Sequence, residues 1–128
     1  MTYLLDTHTL LWLVDDDSAI PASTLDELTN PGNQLFISIA SIWEIAIKRS
    51  LGKLTFSRPT QALIDELPML DINLLPILAN HIRLVEALPF HHRDPFDRII
   101  IAQALAEGCV IVSKDTNFPL YAVPLLWN

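Results

Sequence analysis

Cysteine, glycine and positive charge are all scarce in this chain, and each shortage removes a class of explanation. Cys109 is the only cysteine, so no internal disulfide can form and no Cys-x-x-Cys metal motif exists. Three glycines in 128 residues leave no glycine-rich phosphate loop. Eight Lys and Arg stand against fifteen Asp and Glu, a formal net charge of −7, which argues against a generic basic nucleic-acid binder. No apolar run is long enough to span a bilayer. Met1 to Asp6 has no basic segment and meets an acid at once, so no signal peptide is expected. The reading is a cytoplasmic protein without a membrane association. No Ser/His/Asp order suggests a nucleophilic triad.

What is present is apolar. Hydrophobic residues make up 51% of the chain, which suits either a buried partner or dimer surface or simply well-buried core helices. The length fits one domain, residues 1–128. Short apolar runs alternate with helical stretches. Strands are expected at 2–5, 35–38, 71–75 and 109–112, with a last edge strand within 121–126, where Pro124 is tolerable only at an edge. Helices are expected over about 10–14, 22–28, 40–50, 59–67, 77–88 and 95–107, with Asp15-Asp16-Asp17-Ser18 stopping the first. The alternation predicts an α/β domain with a mostly parallel central sheet.

The organising stretch is His91-His92-Arg93-Asp94-Pro95-Phe96-Asp97-Arg98 and the apolar run that follows. Asp94 stands at a helix N-cap, Pro95 at the favoured first helical position, and Gly108 can end the helix in a left-handed conformation. Asp97 then lies in the first turn, at the positive end of the helix dipole. In a parallel sheet, ligands bind beyond the carboxyl ends of the strands. Asp6 ends the first strand, Glu44 lies in the helix after the second, and Asp115 follows the fourth, so these acids and Asp97 fall at one edge, with Asp94 as a fifth candidate. Two carboxylates about 4 Å apart repel by roughly 4 kcal/mol at an effective dielectric near 20, so such a cluster calls for a cation or a proton. All-oxygen ligands favour Mg²⁺ or Mn²⁺, and such an ion suits phosphodiester hydrolysis.

Each acid also has a structural role open to it. Asp6 and Asp94 can cap helices, and Asp94 with Asp97 makes a pair like a capping box. Ser41 to Glu44 is itself a capping-box pattern, and Glu44 with Lys48 is a favourable i,i+4 pair. Asp115 can make a turn with Asn117. His91 and His92 are either acid/base or phosphate-contacting groups, or a surface loop feature. His81 has no helical metal partner, and Ser113 can orient a carboxylate or a water. Six cations (Lys48, Arg49, Lys53, Arg93, Arg98 and Lys114) are near the acids in sequence, either as a rim for a polyanion or as ordinary solvated charges.

Four motifs give the chain a resemblance to a known family. They are Tyr3-Leu4-Leu5-Asp6-Thr7-His8, Ser38-Ile39-Ala40-Ser41-Ile42-Trp43-Glu44-Ile45, Arg93-Asp94-Pro95-Phe96-Asp97-Arg98 with Ile101-Ala102-Gln103-Ala104, and Val112-Ser113-Lys114-Asp115-Thr116-Asn117-Phe118. In this order and spacing the chain resembles PIN domains, and among them the VapC-type toxins of prokaryotic toxin–antitoxin pairs. The resemblance implies a three-layer α/β/α domain and a Mg²⁺- or Mn²⁺-dependent ribonuclease. It assigns catalytic and metal roles to Asp6, Glu44, Asp97 and Asp115, with Ser113 at the small hydroxyl position before the last acid; Asp94 is either an auxiliary beside them or only the N-cap. It also implies a homodimer inhibited by a cognate antitoxin, with RNA as substrate. The pattern departs at Asn117, where many relatives carry a further acid, which leaves one or two metal ions open. Two other readings remain: a catalytically silent partner- or RNA-binding module, and an aspartyl phosphotransferase. The last would want an acid two residues beyond Asp6, where His8 stands.

Overall fold

The computed structural model describes residues 1–15, 17–56 and 58–128. Five strands form one sheet: β1 (Thr2–Leu5), β2 (Gln34–Ser38), β3 (Ile72–Leu75), β4 (Val110–Val112) and β5 (Leu125–Leu126). Their spatial order is β3-β2-β1-β4-β5, and every pairing is parallel. The chain therefore starts in the middle, winds outward through β2 and β3, then returns to the other side of β1 for β4 and β5. The reversal between β1 and β4 is a topological switch point, where an open parallel sheet leaves a crevice at its carboxyl edge.

Among the described residues there are six α-helices: α1 (Thr7–Asp15), α2 (Ala22–Thr29), α3 (Ile39–Ser50), α4 (Thr60–Glu66), α5 (Ala79–Ala87) and α6 (Pro95–Glu107). Strand side chains alternate between two apolar clusters, as the two-residue strand period requires. Tyr3, Leu5, Leu35, Ile37 and Val112 pack with Leu10, Leu28, Ile42, Ile45 and Leu63 from α1 to α4. Leu4, Leu75 and Ile111 face the other way, against Ile100, Ile101 and Ala104 of α6. This is the three-layer α/β/α arrangement.

Local chemistry sets the element ends. The Asp94 side chain accepts from the N–H of Phe96 and of Asp97, Pro95 opens α6, and Gly108 closes it at φ 70°. At α3 the cap is Ser38, whose hydroxyl accepts from Ala40 N–H, so Ser41 is not the cap the sequence pattern suggests. The strand runs directly into the helix, and Ser41 is buried in its first turn. Several expected elements come out shorter. The 77–88 helix is α5, beginning two residues later, and the 121–126 strand keeps only Leu125–Leu126, after a 3₁₀ turn at Phe118–Leu120. The first helix instead starts earlier, at Thr7, and runs to Asp15; Asp16 of the expected stop lies outside the described residues.

Candidate active site

The register places Leu5 beside Val112, so the next residues, Asp6 and Ser113, leave adjacent strands together at the switch point. Asp6 is buried, and each carboxylate oxygen is engaged. Oδ1 accepts from Thr9 N–H at 2.7 Å, which makes Asp6 the cap of α1, and Oδ2 accepts a short hydrogen bond from the Ser113 hydroxyl. Burial raises the Asp6 pKa, while the Ser113 and Thr9 hydrogen bonds and the nearby His8 pull it back down. Ser113 Oγ also accepts from Asp115 N–H at 3.0 Å, and Asp115 Oδ1 accepts from Asn117 N–H at 2.8 Å. The hydroxyl thus ties the loop after β4 to the carboxylate after β1. The capping role of Asp6 and the turn at Asp115 are both present, and neither removes the residue from the cluster.

Glu44 is buried in α3. Its Oε1 accepts from Thr7 Oγ at 2.6 Å, and its Oε2 pairs with Lys48 Nζ at 2.6 Å. That hydrogen bond is the main cause of the raised Lys48 pKa, with smaller contributions from the charges of Glu44, Asp94 and Asp97. Lys48 is therefore a cation resident in the acidic cluster as well as the i,i+4 partner of Glu44.

Asp97 is where the cluster converges. Burial, then the charges of Asp94, Asp115, Glu44 and Asp6, push its pKa up to about 8. His92 Nε2 lies 3.2 Å from Asp97 Oδ2, and His92 Nδ1 lies 2.8 Å from the Tyr121 hydroxyl. That hydroxyl accepts from Arg98 Nη1 at 3.0 Å. Arg98 offers only donors, so the Tyr121 proton is free for His92 Nδ1, and with Asp97 ionised Nε2–H is left to donate to it. Once Asp97 is ionised, a chain of donors runs from Arg98 through Tyr121 and His92 to Asp97.

Two sequence readings change here. Arg98 is no rim cation: it is buried, donates also to Pro89 and Val85 carbonyls, and stacks over Phe90. Arg49 donates to the Phe56 carbonyl, whereas Lys53, Arg93 and Lys114 are exposed. His81 is a fully buried structural residue. Its Nδ1 accepts from Leu78 N–H at 2.9 Å, and Nε2 meets Glu107 Oε2 at 2.9 Å. His91 is exposed, its ring edge-on to Tyr121. Sequence reading missed Thr7, which donates to Glu44, Thr9, which donates to Asp6, and Tyr121, which meets His92 rather than an acid. Thr7 stands immediately after Asp6 with a small hydroxyl, whereas Thr9 acts on Asp6 through its backbone N–H and spends its hydroxyl on the Val112 carbonyl; Tyr121 carries no local signal.

The donor set is all oxygen. Among the described residues, no three His, Cys, Asp or Glu side chains enclose a metal-sized position between them. A cation that keeps much of its water and takes one or two direct carboxylates, as Mg²⁺ does, fits this arrangement. Acids that raise one another's affinity for protons, as they do at Asp97, also favour a bound cation.

Comparison with known proteins agrees with this architecture. The PIN domain family profile matches residues 3–124. No curated protein matches the sequence. Among solved structures, the chain is similar to a VapBC complex from Rickettsia felis bound to a promoter DNA fragment, with TM-score 0.74, 18% identity and 100% of both chains covered. It is also similar to a DNA-bound VapBC from Salmonella typhimurium, with TM-score 0.73, 15% identity and coverage of 98% and 97%. A third is FitAcB from Neisseria gonorrhoeae, with TM-score 0.66, 18% identity and coverage of 98% and 96%.

Proposed function

This chain belongs to the PIN domain family, and from that premise we propose that it is the toxin of a toxin–antitoxin pair, a metal-dependent endoribonuclease that hydrolyses RNA phosphodiester bonds. One observation carries the reading: burial, and then the charges of four other carboxylates, push the Asp97 pKa up to about 8. The similarity in fold to VapBC complexes supports the assignment to toxin–antitoxin biology.

In this reading Asp6 and Asp97 are the principal ligands of Mg²⁺ or Mn²⁺, and Glu44 and Asp115 hold the ion or its waters. When bound, the ion supplies Lewis acidity towards phosphate and water. The chain's own residues do the positioning. Ser113 and Thr9 fix Asp6, Thr7 and Lys48 fix Glu44, and His92 fixes Asp97. Exposed Lys114 is available to hold the RNA backbone.

A cognate antitoxin and a second copy of the chain complete the proposal. Trp43 is 59% exposed and Ile82 56%, and with Phe96 and Ile99 they line an apolar recess of about 230 Å³ suited to protein contact. No helix among the described residues is long and apolar enough to cross a membrane, and the cytoplasm is the proposed location.

The test incubates antitoxin-free wild type and Asp6→Asn with total cellular RNA in Mg²⁺, Mn²⁺ or EDTA. Discrete fragments from wild type with metal only are expected. A folded wild type that cuts nothing in either metal overturns the reading.

A further inference from the structure

Beside the acids lies a second feature with different chemistry. A cavity of about 310 Å³ is lined by Asp6, His8, Trp12, Lys114 and Asp115. His8 and Trp12 are one turn apart on α1, so they share a helix face. Their ring centroids are 5.8 Å apart, and Trp12 is backed by Trp127 at 5.8 Å. His8 is exposed and Trp12 half-buried, and their ring planes are tilted 46° to each other, so His8 offers the open ring.

We propose that this cavity is a base-stacking subsite, which takes one unpaired nucleobase of the RNA strand next to the phosphate held by the acids. The inference rests on the nuclease reading and adds a specificity determinant to it. Three observations carry it. The cavity shares Asp6 and Asp115 with the acidic site, so an occupant is within about one nucleotide of the reacting phosphate. Its other walls are aromatic rings and an exposed ammonium, which match a base and the phosphate that follows it. Finally, the chain has few other means of holding a polyanion. Its net charge is −7; Arg98 is buried and engaged, Arg49 donates to the Phe56 carbonyl, and Lys48 is paired with Glu44. Stacking on these rings adds affinity that does not depend on an excess of positive charge.

The full-length chain is titrated in EDTA with a single-stranded RNA hexamer, and with the same hexamer carrying one abasic residue at each position in turn. Indole fluorescence is followed. Wild type is expected to lose about fivefold or more in affinity at one abasic position, the effect of one stacked base. His8→Ala, a change at an exposed residue, is expected to weaken binding of the intact hexamer and to become indifferent to that position. Trp12→Phe is expected to lose most of the fluorescence quench. Wild type that treats every abasic hexamer like the intact one, or His8→Ala that binds RNA like wild type, overturns the proposal. Cleavage of total RNA in Mn²⁺ tests the nuclease reading separately: cleavage without abasic discrimination removes the subsite alone, and discrimination without cleavage removes the nuclease alone.

Discussion

An aspartate that holds its proton to about 8 affects stability as well as chemistry. In the unfolded chain Asp97 ionises near its ordinary value of 3.8. Between there and about 8 the native state binds the extra proton, so this group's contribution to stability falls as pH rises through the window. The slope for one group is at most about 1.4 kcal/mol per pH unit. Metal-free Asp97→Asn should therefore be more stable than wild type at pH 8 and close to it at pH 4. Denaturant melts across that range check this, and a constant difference would refute it. Tyr121 gives a second test at the same scale. Tyr121→Phe removes the oxygen that accepts from buried Arg98 and leaves a donor unpartnered, at a cost of about 1–3 kcal/mol. A Tyr121→Phe protein that unfolds at the wild-type denaturant midpoint would show that the relay carries no load. None of this relay was legible in the sequence beyond the proximity of His92 to Asp97, because Tyr121 reaches it from 29 residues away in the chain.

At the scale of elements, α6 was almost wholly legible. Asp94, Pro95 and Gly108 act through the nearest backbone, and their signals survive without tertiary context. Cap and charge can be separated at Asp94. Asp94→Ala loses the cap and should cost about 1 kcal/mol. Asp94→Asn keeps a good cap but deletes one of the charges that raise Asp97, so stability should be retained while the Asp97 pKa falls. Titration of the Asp97 carboxyl by NMR reads the second effect. Equal pKa values in wild type and Asp94→Asn would show that the Asp94 charge adds nothing, leaving burial and the charges of Asp115, Glu44 and Asp6 as the cause. The start of α3 was less legible. Ser38 and Ser41 both offer hydroxyls at cap spacing, and only the direct join of β2 to α3 selects the first. His81 looked like a solitary helical histidine because its partner, Glu107, belongs to α6.

At the scale of the molecule, alternating strands and helices announced a parallel sheet, and the sheet order supplies what spacing alone lacked: a switch point between β1 and β4 that brings Asp6 beside Ser113. The convergence of the other acids depends on packing of α3 and α6 against that edge, which no local pattern encodes. It makes the carboxyl edge a place where a cation should stabilise the whole fold. A ligand at 100 times its dissociation constant adds about 2.7 kcal/mol. Binding requires ionised ligands, so the cation must displace the Asp97 proton, and its affinity should rise with pH up to about 8. Metal-free stability falls over the same window, so melting curves with Mn²⁺ and with EDTA should diverge from pH 6 to pH 8. In Asp97→Asn that divergence should shrink, because the variant has neither the proton to displace nor the full charge to offer. Curves that run parallel in wild type, with Mn²⁺ adding the same increment at every pH, would mean that the ion binds away from Asp97, and the ligand assignment would have to move to Asp6 and Asp115.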